Sequence, residues 1–124
     1  MARQWTAAQL AAMNTRGRTL LVSAAAGSGK TATLTERIIR RLTDPENPGD
    51  ISRMLIVTFT RAAAAELRER ISGALNDAIA AHPDSRHLQE QLLRLGAAHI
   101  CTIDAFCMEP LRTHFAEAGL PASF

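Results

Sequence analysis

Apolar residues recur along the chain in two rhythms. Thr19 to Ser23 (Thr-Leu-Leu-Val-Ser), Met54 to Phe59 and Ala98 to Ile103 are short, nearly continuous apolar runs, the pattern of strands buried on both faces. Between them the period lengthens to that of a helix. Leu34, Ile38 and Leu42, with Ile39 beside them, place one apolar stripe on a helix starting near Gly29, and Arg37, Arg40 and Arg41 are expected to face solvent. Leu67, Ile71, Leu75 and Ile79 at four-residue spacing mark a long helix that His82-Pro83-Asp84 ends. A shorter helix runs from Arg86 to Leu95 with Gly96 as its stop. A last one spans about Asp104 to Ala118, and Pro110 is expected to kink or restart it. At the other end, Thr6 and Gln9 form a capping box, with Trp5 and Leu10 placed to staple it. Asp44 to Asp50, with two prolines and a glycine, is a loop.

Strands alternating with helices predict an α/β fold, a parallel sheet with helices on both faces. Three strands leave both sheet edges open. The expectation is therefore the opening section of a larger domain, completed by residues beyond Phe124.

Composition narrows the classes. Apolar residues make up 47% of the 124 positions, which excludes a disordered chain. A net charge of +2 is compatible with a nucleic-acid partner without demanding one. Cys101 and Cys107 are too few for a disulfide framework and wrongly spaced for a metal site. The absence of a signal peptide or a long apolar run points to a cytoplasmic protein with no membrane partner.

The strongest chemical signal is one residue. Lys30 is the only lysine among fourteen strong cations, the rest being arginine. A compact ammonium fits between two phosphates where a planar guanidinium is too bulky. Lys30 also lies at the end of the run Ala24-Ala25-Ala26-Gly27-Ser28-Gly29-Lys30-Thr31, which follows a strand-like run and opens a helix, the setting of a phosphate-binding loop. In that role successive N–H groups grip phosphate oxygens, Lys30 bridges the outer phosphates and the Thr31 hydroxyl ligates Mg²⁺. ATP and Mg²⁺ are the cofactors this loop predicts.

Two further segments have competing readings. In Thr58-Phe59-Thr60-Arg61, composition alone makes Phe59 a core aromatic and Thr60 an N-cap. The alternative is a strand-end contact with nucleic acid, Phe59 stacking on a base. In Thr102-Ile103-Asp104-Ala105-Phe106, Asp104 is read as an N-cap and Phe106 as core. A magnesium-organising role for Asp104 is the rival, although no glutamate follows to activate a water.

Trp5-Thr6-x-x-Gln9, the loop from Ala24 to Thr31, Thr58-Phe59-Thr60-x-x-Ala63-Ala64-x-Glu66-Leu67-x-x-Arg70 and Thr102-Ile103-Asp104-Ala105-Phe106-Cys107 occur in an order that resembles superfamily 1 DNA helicases of the UvrD/Rep type. The resemblance covers Trp5 to Phe115, and the wording of Leu21 to Thr31 is similar to the helicase–nuclease branch of double-strand-break repair. It implies an incomplete first helicase domain with a P-loop, RecA-like sheet. It also implies ATP-driven translocation on single-stranded DNA and unwinding of double-stranded DNA, with an AddB-like second subunit as partner. By position, Gln9 would contact adenine and the loop would hold the triphosphate. Thr58, Phe59, Thr60 and Arg61 would lie along single-stranded DNA, with Thr102, Asp104 and Phe106 nearby. One departure stands out, since the family usually has His-Ser where this chain has Asp104-Ala105. A carboxylate repels a phosphate backbone, so Asp104 is expected to face away from the DNA as an N-cap. The acidic pair that activates water, the arginine fingers and the second motor domain lie outside these residues, so the 124 residues alone are expected neither to hydrolyse ATP appreciably nor to unwind DNA. A small P-loop phosphotransferase is the rival enzyme class, weakened by the lack of a lid or substrate-binding insertion before Met54. A non-catalytic binding module is the third reading.

Overall fold

The computed structural model describes residues 4–25 and 29–124. Their α-helices are α1 (Ala7–Asn14), α2 (Lys30–Leu42), α3 (Arg61–Ala81), α4 (Arg86–Arg94) and α5 (Ile103–Thr113). Two strands, β1 (Leu55–Thr58) and β2 (His99–Thr102), pair in parallel with Ile56 opposite Ile100. Parallel pairing requires a crossover, which α3 and α4 supply.

Alternation along each strand divides the sheet into two faces. Ile56 and Ile100 are buried with Ala64, Leu67, Ile71 and Leu75 of α3, Leu88 of α4 and Ile38 and Leu42 of α2 in one core. The opposite face carries Leu55, Val57 and His99, all exposed, with α5 alongside. The four-residue spacing in α3 thus reports its core face, although Ile79 is only partly buried against the cluster. Leu34 is exposed, so the α2 stripe is narrower than its apolar sequence.

The run Thr19 to Ser23 is not a strand among the described residues, and Leu21 is 91% exposed. An apolar run states a need for burial, but a strand forms only where a neighbour accepts its backbone hydrogen bonds. The last helix also differs from expectation. It runs through Pro110 without interruption and ends at Thr113. A proline removes only one N–H···O bond, and here the helix ends within a turn of it.

Two polar devices hold the irregular segments. Arg68 of α3 donates to the carbonyls of Leu95, Ala98 and Ile100, tying the entry of β2 to the helix that covers it. Gln91, fully buried, accepts from the Ile51 N–H at 2.6 Å, and Asp50 caps the short 3₁₀ turn at Ile51–Arg53 and pairs with Arg94 at 2.6 Å. Hydrogen bonds from Ser52, with Arg94 beyond, hold the Asp50 carboxyl below its ordinary pKa.

Candidate nucleotide and strand sites

Helix N-termini leave their first N–H groups without intrahelical partners, and how each helix solves this locates the sites. Thr6 accepts from the Gln9 N–H, Thr60 from Ala63, Ser85 from Leu88 and Thr102 from Ala105. Only α2 among these helices has no side-chain cap. Its N-cap is Gly29 in the left-handed region, at φ 84°, a conformation that glycine adopts without steric cost. The start of α2 therefore presents open N–H groups and the positive end of a helix dipole.

A cavity of about 530 Å³ adjoins this helix start. It is lined by Thr6 and Gln9 from α1 and its cap, by Ser23 and Ala24 from the preceding segment, and by Lys30, Thr33 and Arg37 from α2. Gln9 and Lys30, distant in sequence, thus face one space. The capping box predicted at Thr6 is formed, with Gln9 Oε1 accepting from the Thr6 N–H at 2.9 Å. Thr31 is exposed beside Lys30. Ala25 is described but does not line the cavity. The phosphate-cradle readings of Ala26, Gly27 and Ser28 lie outside the described residues.

Arg37, expected to face solvent, does not. Its Nη1 donates to the carbonyls of Ala12 at 2.7 Å and Thr15 at 2.8 Å. Arg16 adds bonds to Met13 and Thr15, with its pKa lowered first by burial and then by the neighbouring Arg37 and Arg41. These cations satisfy the carbonyl end of α1 and complement its dipole. They fasten α1, and with it Gln9, to α2. Sequence reasoning missed Arg37 because an arginine beside an apolar stripe reads as solvated, and nothing in the sequence marks carbonyl acceptors on another helix.

A second cavity, about 600 Å³, lies at the C-terminal end of the strands, where parallel sheets bind ligands. It brings together Phe59, Arg61, Thr102 and Asp104, and adds Met108, Glu109, Arg112 and Thr113 from α5. Phe59 is 92% exposed, which overturns its reading as a core aromatic. Arg61 occupies the first position of α3, where the helix dipole opposes a cation. Asp104 is not the N-cap of α5; Thr102 fills that role, and Asp104 lies in the first turn facing the cleft rather than away from it. A hydroxyl both accepts and donates, which separates the threonines. Thr58 has given its proton to the Thr60 carbonyl at 3.0 Å. Thr60 and Thr102 accept in their caps and donate to nothing among the described residues. Phe106 is half-buried in a different, smaller cavity with Leu55, His99 and Pro110, outside both the cleft and the core.

With this geometry in place, the comparisons with known proteins are specific. Residues 5–124 match the UvrD/REP helicase N-terminal domain family. The chain is 56% identical over 124 residues to the ATP-dependent helicase/nuclease subunit (AddA) of Pelotomaculum thermopropionicum, covering 100% of this chain and 10% of that protein. It is 54% identical over 122 residues to the protein of the same name from Moorella thermoacetica, covering 98% of this chain and 9% of that one. The Acetivibrio thermocellus protein of that name is 50% identical over 121 residues, covering 98% of this chain and 10% of that one. The chain thus spans about a tenth of the length of the relatives it matches.

Proposed function

The chain belongs to the UvrD/REP helicase N-terminal domain family, and from that premise we propose that it is the ATP-binding opening part of an AddA-type DNA helicase–nuclease subunit. The whole protein would couple ATP hydrolysis to movement along single-stranded DNA and to unwinding in double-strand-break repair. The sheet would be part of a P-loop, RecA-like motor domain, in a cytoplasmic assembly with an AddB-like subunit.

One observation carries this reading: α2 alone among the described helices starts without a side-chain cap, beside a cavity that Gln9 and Lys30 share. Open N–H groups, a helix dipole and an ammonium suit a polyphosphate. In the proposed complex, residues 24–29 and the first turn of α2 surround the triphosphate. Lys30 bridges the outer phosphates, the Thr31 hydroxyl is the Mg²⁺ ligand and Gln9 contacts the adenine. Mg²⁺ supplies charge neutralisation at the phosphates when bound. The strand-end cleft, with exposed Phe59 and Arg61, is the single-stranded DNA site. A phosphotransferase has no evident use for such a cleft.

The test is Lys30→Ala in the full-length protein. DNA-stimulated ATPase should fall by roughly 10²–10³-fold, the usual cost of removing a group that stabilises transition-state charge. Binding of single-stranded DNA measured without nucleotide should persist. Undiminished ATPase would refute the phosphate role.

A further inference from the structure

The cleft at the strand ends has two walls. One is the end of β1 and the start of α3, with Phe59 and Arg61; the other is α5, whose Asp104, Ala105, Met108, Glu109, Arg112 and Thr113 all line the cavity. Those positions recur at helical spacing, so a single face of α5 is turned to it. From Asp104 to Arg112 is eight residues, about 12 Å along the helix. That exceeds the length of one nucleotide step, about 3.4 Å per strand in a duplex.

Most arginines in the surrounding structure are committed. Arg68 holds carbonyls, Arg70 pairs with Glu66 and Arg94 pairs with Asp50. Arg112, like Arg61, has no side-chain hydrogen bond or ion pair with the described residues, and it is exposed. Of the two carboxylates on this face, Glu109 lies 3.4 Å from the His99 ring and Asp104 has no side-chain partner among the described residues. The cleft therefore offers two unpaired guanidiniums, one at each wall, with an exposed aromatic ring between β1 and α3.

We propose that Arg112 is a second phosphate-binding cation of this cleft, so that single-stranded DNA crosses from Phe59 and Arg61 to the last turn of α5. The inference rests on the strand-binding reading of the cleft and extends its footprint. Guanidinium forks suit phosphate oxygens, and phosphate contacts fix the path of a strand without reading its sequence. The last turn of a helix favours a cation on its own account, so the test must separate DNA contact from helix stabilisation.

The experiment measures binding of a fluorescent oligo(dT) by the full-length protein across a range of salt concentrations. Removing one cation–phosphate pairing with a single strand lowers the slope of log K against log salt by about 0.7. Arg112→Gln should weaken binding several-fold and flatten the slope by that amount, while Arg112→Lys keeps the slope. Nucleotide affinity, which reports the intact fold, should be unchanged in both. Weakened binding with an unchanged slope would overturn the proposal, because a purely structural role predicts it. So would wild-type behaviour of Arg112→Gln alongside a flattened slope in Arg61→Ala. Wild-type affinity and slope in both Arg112→Gln and Arg61→Ala would instead overturn the strand-binding reading of the cleft itself.

Discussion

The start of α2 and the starts of α3 and α5 meet the same problem, unsatisfied N–H groups at a helix entry, and meet it in opposite ways. At α2 a left-handed glycine leaves the groups open, and the cavity they face also holds Lys30 and Gln9. At α3 and α5 the caps are supplied by Thr60 and Thr102. The first arrangement binds with its backbone, which suits a ligand of fixed shape such as a triphosphate. The second has committed backbone donors to its caps, so whatever occupies the strand-end cleft is held by side chains: Phe59, the arginines and the remaining hydroxyl protons. A sliding polymer needs contacts of that kind, made and released without disturbing a helix terminus.

The largest expected effect on this contrast comes from Arg37. If the nucleotide cavity depends on α1 being fastened to α2, Arg37→Ala removes two hydrogen bonds to carbonyls. Hydrogen bonds to charged groups contribute about 1.5–3 kcal/mol, so nucleotide affinity should fall at least about tenfold. Affinity for single-stranded DNA should stay at the wild-type value. Titration calorimetry with a non-hydrolysable ATP analogue, beside oligo(dT) binding, separates the two. Equal losses in both would mean that the two sites are not independent.

Sequence made some of this contrast legible and hid the rest for definite physical reasons. Leu67, Ile71 and Leu75 announced α3 because a long helix repeats its signal over several turns, and the runs around Ile56 and Ile100 announced the two strands. The lone lysine marked the cavity. The run around Leu21 had the same apolar look as the strands yet forms none among the described residues, since pairing belongs to two segments and pattern to one. Arg37 and Arg68 were invisible because their partners are carbonyls, which every residue carries. The exposure of Phe59 followed from the family resemblance, whereas composition pointed the other way. Arg112 could have been found, since it sits at helical spacing from Asp104.

A smaller effect sharpens the threonine distinction. Thr102→Ala removes a cap, with a cost of about 1 kcal/mol to α5, and also removes a hydroxyl proton left available to DNA. Thr58→Val removes a proton already given to the Thr60 carbonyl. Oligo(dT) affinity should therefore drop about threefold to fivefold in Thr102→Ala, recover in Thr102→Ser and stay within about twofold of wild type in Thr58→Val, effects typical of one neutral hydrogen bond. An equal loss in both would show that the hydroxyls act only through the local fold.

The smallest effect concerns the carboxylate that replaces the family's usual histidine. Asp104 faces the cleft, in the first turn of a helix whose N-terminus favours a negative charge. It therefore stabilises α5 while opposing the phosphates that Arg61 and Arg112 attract. Asp104→Asn keeps the shape and removes the charge, so strand affinity should rise by about twofold at low salt, within the range of exposed charge pairs. The gain should fade as salt screens the cleft, and thermal stability should fall slightly because the dipole partner is removed. A fall in affinity would reverse the assignment. The carboxylate would then be accepting hydrogen bonds from base amino groups, and oligo(dC), whose bases offer an N4 amino donor, would lose more than oligo(dT). Side-chain binding at this cleft would then extend to the bases, while at α2 the backbone would still hold the phosphates.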